Sequence, residues 1–117
     1  ILDITIHPAK ASSEISELAK SYATILADSL DYVGVLGLEF FQVGDKLVCN
    51  EFAPRPHNSG HFSMDGASYS QFDLQALTML GIEPSIPTLN SQSVTMKNIV
   101  GTQFFENPDF ISRILAN

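Results

Sequence analysis

Two carboxylates, Glu39 and Glu51, lie in neighbouring apolar stretches of the sequence, Val33 to Phe41 and Leu47 to Phe52. A carboxylate set among apolar neighbours is costly without a partner, so a cation is expected to face each of them, although either one alone would also serve as a solvent-facing strand residue. Mg2+ suits such a pair, because it takes one or two carboxylates and fills its shell with waters and substrate phosphates. The next residues, Ala53-Pro54-Arg55-Pro56-His57-Asn58-Ser59-Gly60-His61, follow no helix or strand pattern. Two prolines stiffen this loop, and stiff polar loops beside strands often carry function. Arg55, His57 and Asn58 form a candidate anion-binding cluster, since a guanidinium offers a planar fork of donors suited to carboxylate, bicarbonate or phosphate. Arg55 could equally pair with Glu51 as a structural salt bridge. His57 and His61 have the spacing of a helical zinc pair, but Asn58-Ser59-Gly60 and the flanking prolines place them in a loop, which argues against zinc.

The elements that must position these residues are readable from periodicity. Apolar residues at Ile15, Leu18, Ala19, Tyr22, Ala23, Leu26 and Leu30 predict an amphipathic helix over Ser13 to Leu30, capped by Ser12 or Ser13. Gly44-Asp45 between two apolar runs predicts a β-hairpin whose arms carry Glu39 and Glu51. Ser68 and Gln71 are spaced as a capping box for a second helix over Ser68 to Leu80, stopped by Gly81 and Pro84. Gln71 is therefore assigned to a helix cap, and Lys97 and Asn98 to the polar face of a strand over Ser93 to Val100. The fold class is α+β: an antiparallel sheet of the Ile1 strand and the hairpin, backed by the two helices, with the Ser93 strand beginning something new after a linker at 83–91.

Composition narrows the function. Six basic against 13 acidic residues give a net charge of −7, with no Lys/Arg cluster to engage a phosphate backbone, so nucleic acid is not an expected partner. No apolar run approaches the roughly 20 residues of a membrane span, and the expected compartment is the cytoplasm. The single cysteine, Cys49, sits in an alternating apolar run and reads as a buried strand thiol in a reducing environment. The chain opens without methionine inside a strand pattern, and Asn107-Pro108-Asp109 is a helix start close to Asn117. Both ends are expected to be interior positions of a longer protein.

The run Gly34-Val35-Leu36-Gly37-Leu38-Glu39-Phe40-Phe41, then Asn50-Glu51-Phe52-Ala53-Pro54-Arg55-Pro56-His57-Asn58-Ser59-Gly60-His61, then Ser70-Gln71-Phe72, resembles the 5-(carboxyamino)imidazole ribonucleotide synthetases of the ATP-grasp superfamily. The resemblance extends from the Ile1 strand to Asn98-Ile99-Val100-Gly101, where relatives tend to carry Asn-Leu-Leu-Gly. It departs again at Phe62-Ser63, where an aromatic followed by threonine is usual.

That resemblance implies an enzyme that couples ATP cleavage to joining bicarbonate with the exocyclic amine of aminoimidazole ribonucleotide, by way of carboxyphosphate. It implies residues 1–82 as the C-terminal portion of an ATP-grasp domain, 83–91 as linker and 92–117 as the start of a small β-rich C-terminal domain. Glu39 and Glu51 match the family's Mg2+-binding glutamates, which bridge metal to ATP phosphates. Arg55, His57 and Asn58 match the catalytic loop facing bicarbonate and the imidazole substrate, with Ser59 and His61 in the same substrate-binding string. The adenine contacts and phosphate-gripping lysine would precede Ile1, so the isolated chain is expected to be inactive, and the complete enzyme is expected to be a homodimer. The rivals are another ATP-grasp carboxylate–amine ligase, or a non-catalytic binding or assembly module.

Strand parity adds a geometric condition. A two-residue turn at Gly44-Asp45 pairs Val43 with Lys46 and hence Glu39 with Asn50, which sends the two glutamates to opposite faces. A shared metal site needs either a three-residue turn or a bulge between Phe40 and Asn50. Given the resemblance, the shifted register is expected, with Arg55 contacting at least one of the two carboxylates.

Overall fold

The computed structural model describes residues 3–99 together with Gly101, Asp109, Ser112, Arg113 and Ala116. Strand β1 (Ile4–His7) leads to helix α1 (Ser13–Ser29), the hairpin β2 (Gly37–Val43) and β3 (Lys46–Ala53), a 3₁₀ turn (Asn58–Gly60), helices α2 (Ser63–Gly66) and α3 (Gln71–Met79), and strand β4 (Val94–Lys97). Mixed helix and antiparallel strand is the predicted fold class.

Helix α1 begins where its cap dictates: the Ser12 hydroxyl accepts from the Ile15 N–H at 3.3 Å, and Glu14 stands in the first turn. The same Ser12 hydroxyl and the local main chain hold the Glu14 carboxyl below the usual carboxylate range, the main-chain bond being the larger cause. The helix packs against β3, and Tyr22 meets Phe40 of the hairpin with ring centroids 5.9 Å apart.

The strands are arranged differently from the single sheet expected. β1 does not join the hairpin. It pairs antiparallel with β4, Ile4 opposite Lys97 and His7 opposite Val94, while β2 and β3 form a separate two-stranded sheet. Alternation identifies a strand but not its neighbour, and the β1–β4 pairing is tied by the Asn98 N–H to the Asp3 carbonyl at 2.8 Å and by the Lys97–Asp3 ion pair. Residues 88–90, in the stretch expected as linker, lie along the end of α2: Ser68 N–H donates to Thr88 O and Asn90 N–H to Gly66 O, both at 2.9 Å.

Helix α3 starts later than expected. Its cap is Ser70, not Ser68, in a complete box with Asp73: the Ser70 hydroxyl accepts from Asp73 N–H, and Asp73 Oδ2 accepts from Ser70 N–H at 2.9 Å. The carboxylate of Asp73 complements the positive end of the helix better than the amide of Gln71 would, and it frees Gln71 for another partner. The strand expected from residue 1 is described from Ile4 onward. The helix expected after residue 107 lies largely outside the described residues, though Arg113 N–H donates to Asp109 O at 3.0 Å, one helical turn apart.

Among the described residues, Ile15 and Ala53 are the hydrophobic side chains that are buried, and none is fully enclosed. Cys49, expected inside, is exposed, although it stands opposite Phe40, which meets Tyr22 of α1. Phe41, Val43 and Val48 near the hairpin tip are likewise more than half exposed.

Candidate functional site

The hairpin meets the geometric condition through a bulge. The turn is the two-residue form, Val43 opposite Lys46, and the ladder continues to Phe40 opposite Cys49. There the register slips, and Glu39 stands opposite Glu51 with Asn50 as the extra residue. Asn50 Nδ2 reaches Glu39 Oε2 at 3.2 Å, so Asn50 and Glu51 both serve the face on which Glu39 lies.

The imidazole of His57 bridges this pair. Its Nδ1 is 3.4 Å from Glu39 Oε1 and its Nε2 is 3.5 Å from Glu51 Oε1. Like charges placed directly across a hairpin repel, and the ring is the group that separates them. Glu51 is half exposed, so mutual repulsion rather than desolvation makes this pair favour a cation. Ser59 orients the ring, with its Oγ 2.9 Å and its main-chain N 3.4 Å from His57 Nδ1.

His57 is set by its neighbours. Gly37 of β2 backs it, and a Cβ there would lie 2.7 Å from His57 Cβ, which is why this strand opens on glycine. Gln71, at the start of α3, accepts from His57 N–H and donates to His57 C=O, both at 2.8 Å. This role is not legible in the sequence, where Gln71 reads as a cap. The signal available is the Ser70-x-x-Asp73 box, which assigns the cap elsewhere and leaves Gln71 unexplained.

The other residues of the loop divide. Asn58 Oδ1 accepts from Asn98 Nδ2 at 3.2 Å, which ties the loop to the segment after β4 and gives Asn98 a role that its strand assignment does not include. His61 packs on Phe72, ring centroids 5.7 Å apart, and makes no ion pair with the glutamates. Arg55 contacts neither carboxylate: its Nη1 donates to the Pro56 carbonyl at 3.0 Å, and the side chain is exposed. The expected Arg55–glutamate contact is absent, and His57 takes that place while the Arg55 guanidinium bonds a carbonyl of its own loop. A cavity of about 530 Å³ lies behind His57, with Leu36, Leu38, Phe62 and Tyr69 in its wall.

The glutamates present oxygen donors alone, and no cluster of three or more metal-ligating side chains occurs among the described residues. That donor set fits Mg2+, which needs one or two carboxylates and borrows the rest of its shell, and does not fit zinc.

The ATP-grasp domain family matches residues 1–72. An N5-carboxyaminoimidazole ribonucleotide synthase of Saccharolobus solfataricus is 48% identical over 77 residues, covering 66% of this chain and 21% of that protein. The crystal structure of the Thermus thermophilus synthetase superposes with a TM-score of 0.81 at 43% identity, over 86% of this chain and 28% of that one. The Aspergillus clavatus enzyme in complex with ADP and 5-aminoimidazole ribonucleotide gives a TM-score of 0.74 at 32% identity, over 86% and 28%. The chain spans 21–30% of the length of the first three curated relatives it matches. On the match to residues 1–72, the chain belongs to the ATP-grasp family.

Proposed function

We propose that this chain forms the metal-binding and bicarbonate-facing wall of an enzyme that uses ATP to carboxylate 5-aminoimidazole ribonucleotide, giving 5-(carboxyamino)imidazole ribonucleotide in de novo purine biosynthesis. The observation that carries the reading is the Glu39–Glu51 pair across the bulge, followed directly by the Arg55 to His61 loop. The relatives' names, and the Aspergillus clavatus complex with ADP and the imidazole ribonucleotide, support the substrate assignment. Residues 1–82 belong to the ATP-grasp portion in this reading, 83–91 connect, and 92–117 begin the next domain. The enzyme is cytoplasmic and dimeric. Among the described residues no helix is long and apolar enough to cross a membrane.

Glu39 and Glu51 hold Mg2+, which when bound offsets charge on ATP phosphates. Arg55 spends one donor on Pro56 O, and its remaining N–H groups form the clamp for bicarbonate or its phosphorylated form. Asn58, with its Oδ1 taken by Asn98, has its NH2 group left to donate toward substrate. His57 orients the substrate or accepts its proton, and Ser59 fixes the ring for either task. His61 shapes the wall from Phe72 rather than reaching the glutamates.

The test is to exchange the matched segment of the Thermus thermophilus synthetase for this sequence and to measure ATP-dependent transfer of labelled bicarbonate to 5-aminoimidazole ribonucleotide. Transfer that disappears in Arg55→Ala supports the assignment. A folded chimera that hydrolyses ATP without carboxylating the ribonucleotide contradicts it.

A further inference from the structure

Gln71 performs no chemistry in the reading above, yet it is one of the most enclosed polar residues beside the loop, at 6% exposure. Its carboxamide exchanges both of its bonds with a single residue: Oε1 accepts the His57 N–H and Nε2 donates to the His57 C=O, each at 2.8 Å. Such an exchange copies the pairing of adjacent antiparallel strands, and it fixes the position and tilt of the peptide groups it grips. Gln71 is itself anchored, since its main-chain N–H donates to Ser63 Oγ at 2.9 Å and that hydroxyl donates to Gly60 O at 2.6 Å. Gly60 has to lack a side chain for this to exist, because a Cβ there would lie 2.6 Å from Gln71 Oε1. His57 is thus gripped by its main chain from α3. Its ring is held separately, by Ser59 and the two carboxylates.

We propose that Gln71 is a positioning residue of this site: it fixes His57 through the peptide groups, so that the imidazole turns aside from Glu39 and Glu51 when a divalent cation binds while the loop stays in place. The proposal rests on the reading of those glutamates as the cation pair. It assigns Gln71 no contact with substrate. Its effect passes through His57.

The experiment uses the 15N-labelled full chain with Mn2+ as a paramagnetic probe. In the wild type, substoichiometric Mn2+ broadens the His57 ring signals together with the Glu39 and Glu51 amides, and the His57 main-chain N–H exchanges slowly with solvent. Gln71→Met keeps length and volume but removes both bonds. In that variant the protection of the His57 N–H falls by about tenfold or more, a loss of local rather than global stability. The Mn2+ broadening of the His57 ring falls relative to that of the Glu39 amide. Gly60→Ala reproduces both effects by displacing the carboxamide.

A glutamine that merely fills the interior would lower the thermal midpoint and leave the ratio of His57 to Glu39 broadening unchanged, and that result overturns the proposal. Should neither variant fold, exchange in the wild type decides: a protected His57 N–H upholds the grip, and one exchanging at the rate of an open loop overturns it. Absence of Mn2+ broadening at Glu39 and Glu51 in the wild type overturns the cation-pair reading instead, and with it the ring's displacement by a cation.

Discussion

Glu39 stands directly across the hairpin from Glu51, and the reason is Asn50. With the two-residue turn at Gly44-Asp45, an unbroken ladder would have put Asn50 opposite Glu39 and turned Glu51 to the other face. The bulge absorbs one residue and brings two like charges together, at a place where His57 bridges them and the Asn50 amide bonds Glu39. A sequence selected for hairpin stability alone would not place them so, since like charges directly opposite one another destabilise a strand pair.

Gly37→Ala tests how tightly the ring is placed. The added methyl would meet His57 Cβ at 2.7 Å, so the loop must shift or the strand must bend, at a cost of about 1–3 kcal/mol of the kind seen on overpacking. Denaturant unfolding should show that loss, and the His57 ring resonances should move while those of His7 stay.

Ser63 tests the support beneath Gln71. Its hydroxyl joins Gly60 O to Gln71 N–H, so Ser63→Ala leaves a buried donor without a partner and should cost about 1–3 kcal/mol in thermal unfolding. Ser63→Thr keeps the hydroxyl and should cost little.

The capping box of α3 gives a pH signature. The Ser70 hydroxyl, and after it the Ser70 N–H, hold the Asp73 carboxyl below its ordinary value. A carboxyl depressed on folding adds stability that is fully present above the unfolded value of about 3.9 and is lost as pH falls through the lower folded value. Acid titration followed by circular dichroism should therefore show α3 weakening at the low end of that range. Asp73→Asn should be less stable near neutrality and lose that part of the acid response.

Much of this arrangement is legible in the residues. A cap at Ser12 or Ser13 and the hairpin follow from local spacing, because each depends on neighbours a few positions away, whereas the residue of slack between Phe40 and Asn50 is expected from the family resemblance, since spacing alone pairs Glu39 with Asn50. Spacing does not report which surface is covered, and this is where it fails. Cys49 alternates like a buried strand residue but is exposed, and β1 pairs with β4 rather than with the hairpin. Two overlapping Ser-x-x-acceptor patterns compete for the start of α3, and only the structure shows that Asp73 takes the cap while Gln71 turns to His57, a loop residue with no fixed distance in the pattern. Charge alone places Arg55 beside the carboxylates, but its guanidinium bonds a carbonyl of its own loop instead.

The small interior predicts association. Phe41, Val43, Val48 and Val33 are 52–80% exposed, and Ile15 and Ala53 are the buried apolar residues among those described. Light scattering of the 117-residue chain should show mass rising with concentration, and Phe41→Ser with Val43→Thr should reduce it.

The central claim is that Glu39 and Glu51 hold one divalent ion between them. Mn2+ affinity in the presence of ADP, read by electron paramagnetic resonance on the Thermus chimera carrying this sequence, tests it most directly. Glu39→Gln and Glu51→Gln should each weaken Mn2+ binding by about tenfold or more, since second-sphere changes alone reach 10–100-fold at metal sites. A full-affinity Mn2+ site in either single variant would contradict the claim.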